Sequence, residues 1–492
     1  MEKRRIIVEN WREDYQRKLV SLKEAAQVIK SGDNIFIPSS YGGEMPKAIV
    51  ERKDELREVT VEVSSPLSDP GWLSAGMEES FKIIVRIYLA SAREAHDEGR
   101  ISFLPYTNGS YFKPYRDNRP GTRNIDVLLM EVSPPDENGF MTFGSNAFQK
   151  RNYSGEAGTI IAEIDGHMIK THGDSSIHVS EVDWLVDITA PPVEKAEIDL
   201  LASRFPPEKE GRARKAMAYA NPRTIRNLTN VIDEIDSEYL ESMFRLKTPD
   251  EEVRAMAGHL KTVIRDRDTI QIGVGSISGH MIELGVFDDL EDLAIWSELG
   301  APGMGNLIKR GIVTGKYSTL RPGKAVFASL SGMRGDEIRW VHDNPLVEMH
   351  PADHVVNIAN ISRIENMVAI NNVTQVDLTG QITCETQFGP RLINGPGGQP
   401  EFHIGAFFAP GGRAVSLLRS TWGAENAVST IVPFLDYGSM VTVPRFFADI
   451  IITEYGVAEL VGKTHRERAG ELIRIAHPDF RAELEKAVKD IG

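Results

Sequence analysis

Cysteine is almost missing from this chain: Cys384 is the only one in 492 residues. A single thiol excludes any disulfide framework within the chain and fits a reducing compartment, so the cytoplasm is expected. Long apolar runs are missing too. None reaches the roughly 18 residues that a membrane span requires, so no membrane partner is expected. The N-terminal Met1-Glu-Lys-Arg-Arg-Ile6 is basic, but Glu9, Arg12, Glu13 and Asp14 follow before any apolar stretch of signal-peptide length. Positive charge is scarce: 56 lysines and arginines stand against 71 aspartates and glutamates, a net charge of −15. That balance argues against a nucleic-acid partner, because binding phosphate backbones needs a basic face. It leaves room for one anionic ligand held by local amides and a few basic side chains. A zinc signature is also absent. His350 and His354 are four apart, but Pro351 and Ala352 between them spoil a helical site, so no metal is expected.

What is present is an ordinary globular composition, 41% hydrophobic and 26% charged. The length exceeds what one core supports. Asn34–Pro38, Val59–Val63, Phe81–Val85, Ile125–Val132 and Thr159–Ile164 read as strands, several apolar throughout, the mark of parallel strands covered on both faces. Residues 11–30 read as one helix, and Pro46 opens another. Residues 187–235, with Thr189-Ala-Pro-Pro-Val193, charged helical segments and Phe205-Pro-Pro-Glu208, read as a connection. Helices are expected over Asp236–Phe244 and Asp250–Arg265, then strands at Thr269–Ile272, Met367–Ile370, Ala414–Leu418 and Asp449–Ile452. Thr464-His-Arg-Glu467 fits a capping box for a helix that stops before Pro478. Strands alternating with helices give an α/β fold: two domains, 1–225 and 226–492, each a largely parallel sheet covered by helices.

The stretch Leu293–Gly300 is an apolar strand that ends in an acid, Glu298, and then breaks on glycine. Ligands bind at the carboxyl ends of strands in such sheets. Gly273-Val-Gly275-Ser-Ile-Ser-Gly279 is a glycine turn between a strand and a helix expected from His280, placed to face an anion. Glu298 lies near where a dinucleotide fingerprint wants its ribose-binding acid, so a nicotinamide-dependent oxidoreductase is one reading. A second glycine turn, Asn394-Gly-Pro-Gly397-Gly398, can present backbone amides to a ligand or form an oxyanion hole. Cys384 reads as a small buried hydrophobe. Asp436, Glu454 and Tyr455 are possible cleft residues. Arg363, Arg419, Arg445 and Lys463 are candidate partners of phosphate or carboxylate.

Several stretches resemble the acetyl-CoA hydrolase/transferase family, the class I CoA-transferases, among them the 4-hydroxybutyrate and acetate enzymes. They are Gln271–Gly275, Ser297–Gly300, Asn371–Gln381, Asn394–Gly398, Ile431–Pro433, Thr453–Leu460 and Ile473–Arg481, with Val132–Gly139, Phe143-Gly144 and Thr171–Ser180 in the first half. The resemblance implies an acyl-CoA:carboxylate CoA-transferase in which Glu298 attacks the thioester and becomes a glutamyl-CoA thioester. A hydrolase using the same glutamate is the alternative. It implies an oxyanion hole at Val274 and Gly397, CoA contacts at Gly273, Val274, Gly275, Ser276, Ile277, Ile393 and Gly397, and a substrate contact at Asn357. CoA is then a substrate, with no resident cofactor, and acyl-CoA and small carboxylic acids are the partners of a homodimer. A glutamate of ordinary pKa near 4.3 is ionised at neutral pH and needs no histidine to activate it. The chain departs from the family at Gln375, often acidic in relatives, at Glu401, usually aspartate, and at Ile358-Ala359, where relatives have Asp-Pro. It departs again after Ser420-Thr421, where Trp422-Gly-Ala424 replaces alanine, lysine and glycine.

Overall fold

A computed structural model describes residues 10–66, 68–230, 232, 237–423 and 427–490. The expectations that touch Met1–Glu9, Asp236 and Ala424 lie outside the described residues.

The apolar runs become the centres of two sheets. β1 (Asn34–Ile37), β2 (Val59–Val63), β3 (Phe81–Val85), β4 (Ser102–Phe103), β5 (Ile125–Val132), β6 (Ala157–Ile164) and β8 (Trp184–Asp187) form the first, in the order β8-β6-β5-β1-β2-β3-β4. All its pairings are parallel. β5 is buried except at Asp126, as a strand covered on both faces must be. β7 (His172–Gly173) leaves this sheet and pairs with β12 at the edge of the second.

The second sheet holds β9 (Thr269–Ile272), β10 (Ala294–Leu299), β11 (Ala325–Ser329), β12 (Val347–Met349), β13 (Met367–Asn372), β14 (Arg413–Leu417), β15 (Ile450–Thr453) and β16 (Gly456–Glu459). Their order is β16-β15-β14-β13-β9-β10-β11-β12-β7, and only β15–β16 is antiparallel. With the edge strands β7 and β16 set aside, the seven central strands run in the same order as those of the first sheet. In each sheet the chain turns back beside the strand it began with, at β1/β5 and at β9/β13. Crevices for ligands open at such switch points. One apolar core joins Phe36, Leu128 and Met130 of the first half to Ile270, Trp296 and Phe327 of the second.

Three expectations change. Residues 11–30 are two helices, α1 (Trp11–Lys18) and α2 (Leu22–Ala26). Ser21 takes up the Glu24 amide while the Glu24 carboxylate takes up the Ser21 amide, so a new helix is capped where the first was expected to run on. The charged helical segments of residues 187–235 do more than connect the two halves. After α3 (Met45–Val50), α4 (Lys195–Ala202), α5 (Pro207–Met217), α6 (Pro222–Asn230) and α7 (Ser237–Met243) pack as a helical layer around Leu201, Phe205, Met217, Ile225 and Leu240. Their charged outer faces hid the buried stripe. The helix expected from His280 is a single 3-10 turn, Ser278–His280. Asn372 of β13 accepts from the Ser278 amide and donates to its hydroxyl, tying the segment to the sheet, and Gly285 at φ +69° keeps the next turns from joining into a helix. The remaining helices near the site and the C-terminus are α8 (Glu251–Lys261), α9 (Gln399–Phe408), α10 (His465–Ile475) and α11 (Pro478–Ala487), and Thr464 caps α10 with Glu467 as the spacing predicts.

Candidate active site

β10 places Glu298 one residue before its end. Trp296, two residues earlier on the same face, donates its indole N–H to Val355 O at 2.8 Å and anchors that face. Gly300 then lets the chain turn, its amide donating to Ser329 O at 2.7 Å. Glu298 is only 8% exposed. Asn108 donates to its Oε1 at 2.6 Å, and the Gly398 amide also donates to the carboxylate. A Cβ at Gly398 would fall inside the van der Waals envelope of Glu298 Oε2, so only glycine lets the backbone come this close. Burial pushes the Glu298 pKa up to about 7, against the pull of those two donors. The ordinary pKa expected from sequence is therefore replaced by one set by desolvation.

Asn108 comes from the other half of the molecule. It follows β4 in a tight loop, and its own amide donates to Gly397 O at 2.9 Å. Thr107 donates its hydroxyl to Glu401 Oε1, and the Gly109 amide also reaches Glu401. Glu401 stands in the first turn of α9, directly after the second glycine turn. Burial, with a smaller push from the nearby Glu298 charge, raises its pKa to about 7 against the pull of the Thr107 and Gly109 donors. Thr107-Asn108-Gly109 thus bridges two buried carboxylates. Sequence reading missed this tripeptide. Its only signal was a turn-forming Asn-Gly pair, which occurs in many loops that touch nothing.

The other expected residues fall in three places. Val274 is exposed, beside Gly332, which in turn packs on the Gly300 carbonyl, so the first glycine turn lies next to the break after Glu298. Gly273 and Gly275 abut the Asn371 and Asn372 side chains too closely for any Cβ, Ser276 is exposed and Ile277 buried. Gly397 adopts φ +58°, and Ile393 sits at the outer end of the same loop. Asn357 caps a short helix by accepting from the Ala359 amide at 2.9 Å, while Val356 before it packs against Gly109 and under Gly398. Cys384 is buried with its thiol pKa pushed up to about 12 by desolvation. Arg419 is paired with Asp250 and Glu252, and Lys463 with Glu471. Glu454 accepts from Ser420, and the His350 ring lies tilted against His354 with centroids 4.9 Å apart. Among the described residues no cluster of three His, Cys, Asp or Glu could hold a metal ion, and no helix is long and apolar enough to cross a membrane. The dinucleotide reading loses the α-helix that its glycine turn would open. A separate cavity of about 1620 Å³ lies over the ends of β1, β2, β5 and β6, lined by Val63, Glu131, Asp165, Tyr219 and Arg223 but not by Glu298.

These pKa directions make a pH prediction. Between the usual value of 4.5 and about 7, the folded protein binds more protons at Glu298 and Glu401 than the unfolded chain does. Their contribution to stability is therefore largest below 4.5 and falls as pH rises through about 7. Catalysis by a carboxylate runs the other way, so kcat/KM should climb across pH 6 to 8. Asn108→Ala removes a donor that favours the charged form. It should move that acidic limb to higher pH and cut activity at pH 7 roughly ten-fold. A pH series of rates and melting temperatures checks both; a flat acidic limb would refute the assignment of Glu298.

A buried carboxylate thus stands at a strand end, between two parallel-sheet halves and under a glycine turn. Sequence models for the acetyl-CoA hydrolase/transferase N-terminal and C-terminal domains match residues 2–193 and 336–488. The chain belongs to the acetyl-CoA hydrolase/transferase family. It is 32% identical to the 4-hydroxybutyrate coenzyme A transferase of Clostridium kluyveri, across 96% of this chain and 98% of that protein. It is 30% identical to the succinyl-CoA:cyclohexane-1-carboxylate CoA transferase of Geobacter metallireducens, across 98% and 97%. Among solved structures, RipA from Yersinia pestis superposes with a TM-score of 0.80 at 26% identity, covering 98% of this chain and 99% of that one.

Proposed function

We propose that this protein transfers CoA from a short-chain acyl-CoA to a carboxylic acid, with Glu298 as the nucleophile. The supporting observation is the buried carboxylate at the end of β10, gripped by Asn108 and the Gly398 amide. The Glu298 carboxylate attacks the thioester carbonyl and expels CoA as thiolate, leaving an acyl-glutamyl anhydride. The thiolate attacks the glutamyl carbonyl, releasing the first acid and forming glutamyl-CoA. The acceptor carboxylate then attacks that thioester, and the returning thiolate takes the new acyl group, restoring Glu298. No net proton moves, so no histidine base is needed once Glu298 is ionised.

The Val274 and Gly397 amides are proposed to stabilise the oxyanion, a contribution whose loss typically costs about 2.7–4 kcal/mol. The CoA arm is proposed to lie along Gly273–Ile277 and Ile393, with Asn357 beside the acyl group, and CoA enters as substrate rather than resident cofactor. Burial of Glu298 supports transfer over hydrolysis, because both covalent intermediates are lost to water. For compartment and assembly we propose the cytoplasm and a homodimer; the single buried thiol supports the first, and the family resemblance the second.

The test is to incubate the protein with acyl-CoA, reduce with borohydride and read position 298 by mass spectrometry, alongside thiol release with and without acceptor acid. A modified Glu298 and acceptor-dependent turnover are expected. An unmodified Glu298 removes the mechanism, and thiol release indifferent to acceptor makes the enzyme a hydrolase.

A further inference from the structure

The sequence left open which cations meet the phosphates of CoA, and the chain's net charge of −15 makes any gathering of arginines informative. Arg419 and Lys463 are already engaged by acids near their own elements. Two other arginines converge at the outer end of the second glycine turn. Arg93, after β3 in the first half, donates to Ile393 O at 3.4 Å. Arg391, two residues before Ile393, reaches Asp97 at 3.5 Å and is 71% exposed. Both lie close enough to Tyr88 to pull its pKa down, against the burial that raises it. Tyr88 Oη donates to Asp97, so Asp97 holds the Arg391 side of the group in place.

Their position relative to Glu298 is set by the loop. Gly395 packs on Arg86 O and Ile87 at the end of β3, and Gly398 lies against Glu298. Residues 393 to 398 span at most about 17 Å when extended. The pantetheine arm, about 13 bonds from sulfur to the first phosphorus, spans roughly 15 Å by the same arithmetic. A thioester on Glu298 with its arm extended along this loop is therefore long enough to carry its phosphates as far as Ile393. The contacts that now hold the two guanidinium groups are long and solvent-facing, worth little, and readily exchanged for a phosphate that accepts two N–H bonds at once.

We infer that Arg93 and Arg391 form a clamp, one arm from each half of the molecule, for the phosphates of the CoA substrate. This rests on CoA being the substrate but not on the chemistry at Glu298, so binding tests it directly. Calorimetry is run with CoA and with pantetheine, which has the same arm and no phosphate, on the wild type, Arg93→Gln, Arg391→Gln and the double variant.

Each single change should weaken CoA about ten-fold or more and leave pantetheine unchanged. Added salt should weaken CoA binding to the wild type more steeply than to the double variant. Equal losses for CoA and pantetheine, or no loss, would overturn the clamp. So would a variant that instead raises KM for the acceptor acid, which would make the arginines carboxylate contacts. If the wild type binds CoA but gives no adduct at Glu298, the covalent mechanism fails and the clamp stands.

Discussion

Glu298→Gln is expected to end CoA transfer, with kcat lowered by about a thousand-fold or more, and to end adduct formation at position 298. An amide keeps the size and accepts the Asn108 hydrogen bond, but it cannot attack a thioester. The same change should raise the melting temperature at pH 8. The wild-type carboxylate is held ionised there in a site that burial makes hostile to charge, and the pKa of about 7 records that cost. Loss of activity with gain of stability separates a removed nucleophile from a damaged fold. Transfer within ten-fold of wild type would refute the role of Glu298, and a fall in melting temperature would refute the account of its burial.

Gly398→Ala is the second large effect. The added methyl would collide with Glu298 Oε2 and lie 2.8 Å from Val356 Cγ1, and both neighbours are buried. Overpacking of this kind costs about 1–3 kcal/mol. Here it also pushes the nucleophile off the Asn108 and Gly398 donors, so activity should fall on the order of a hundred-fold. Gly397→Ala makes an instructive contrast. A Cβ there meets nothing closer than Asn108 Nδ2 at 4.0 Å, so its cost comes from the φ of +58°, about 1 kcal/mol. Denaturant melts and kcat for both variants check the difference. Equal activity of Gly398→Ala and wild type would mean that the carboxylate has room the structure denies it.

Much of this was legible from residue order. The run Leu293–Gly300 marked Glu298 as a strand-end acid, because apolar strands and glycine breaks are local signals. β5 and the helix capped by Thr464 were readable for the same reason. The charged helical segments over 195–230 read as part of a connection rather than as a packed layer because their apolar stripe, Leu201 through Leu228, is interrupted by charged residues that face solvent.

Composition, strand patterning and the two glycine turns by themselves determined an α/β fold with a carboxylate at its centre. Tertiary structure alone decided the state and the company of that carboxylate. Asn108 lies 190 positions away in sequence and Glu401 more than 100, so no local pattern could pair either with Glu298. The elevated pKa has the same origin: desolvation is a property of everything packed around a group, and that packing exists only once both halves have closed over the end of β10.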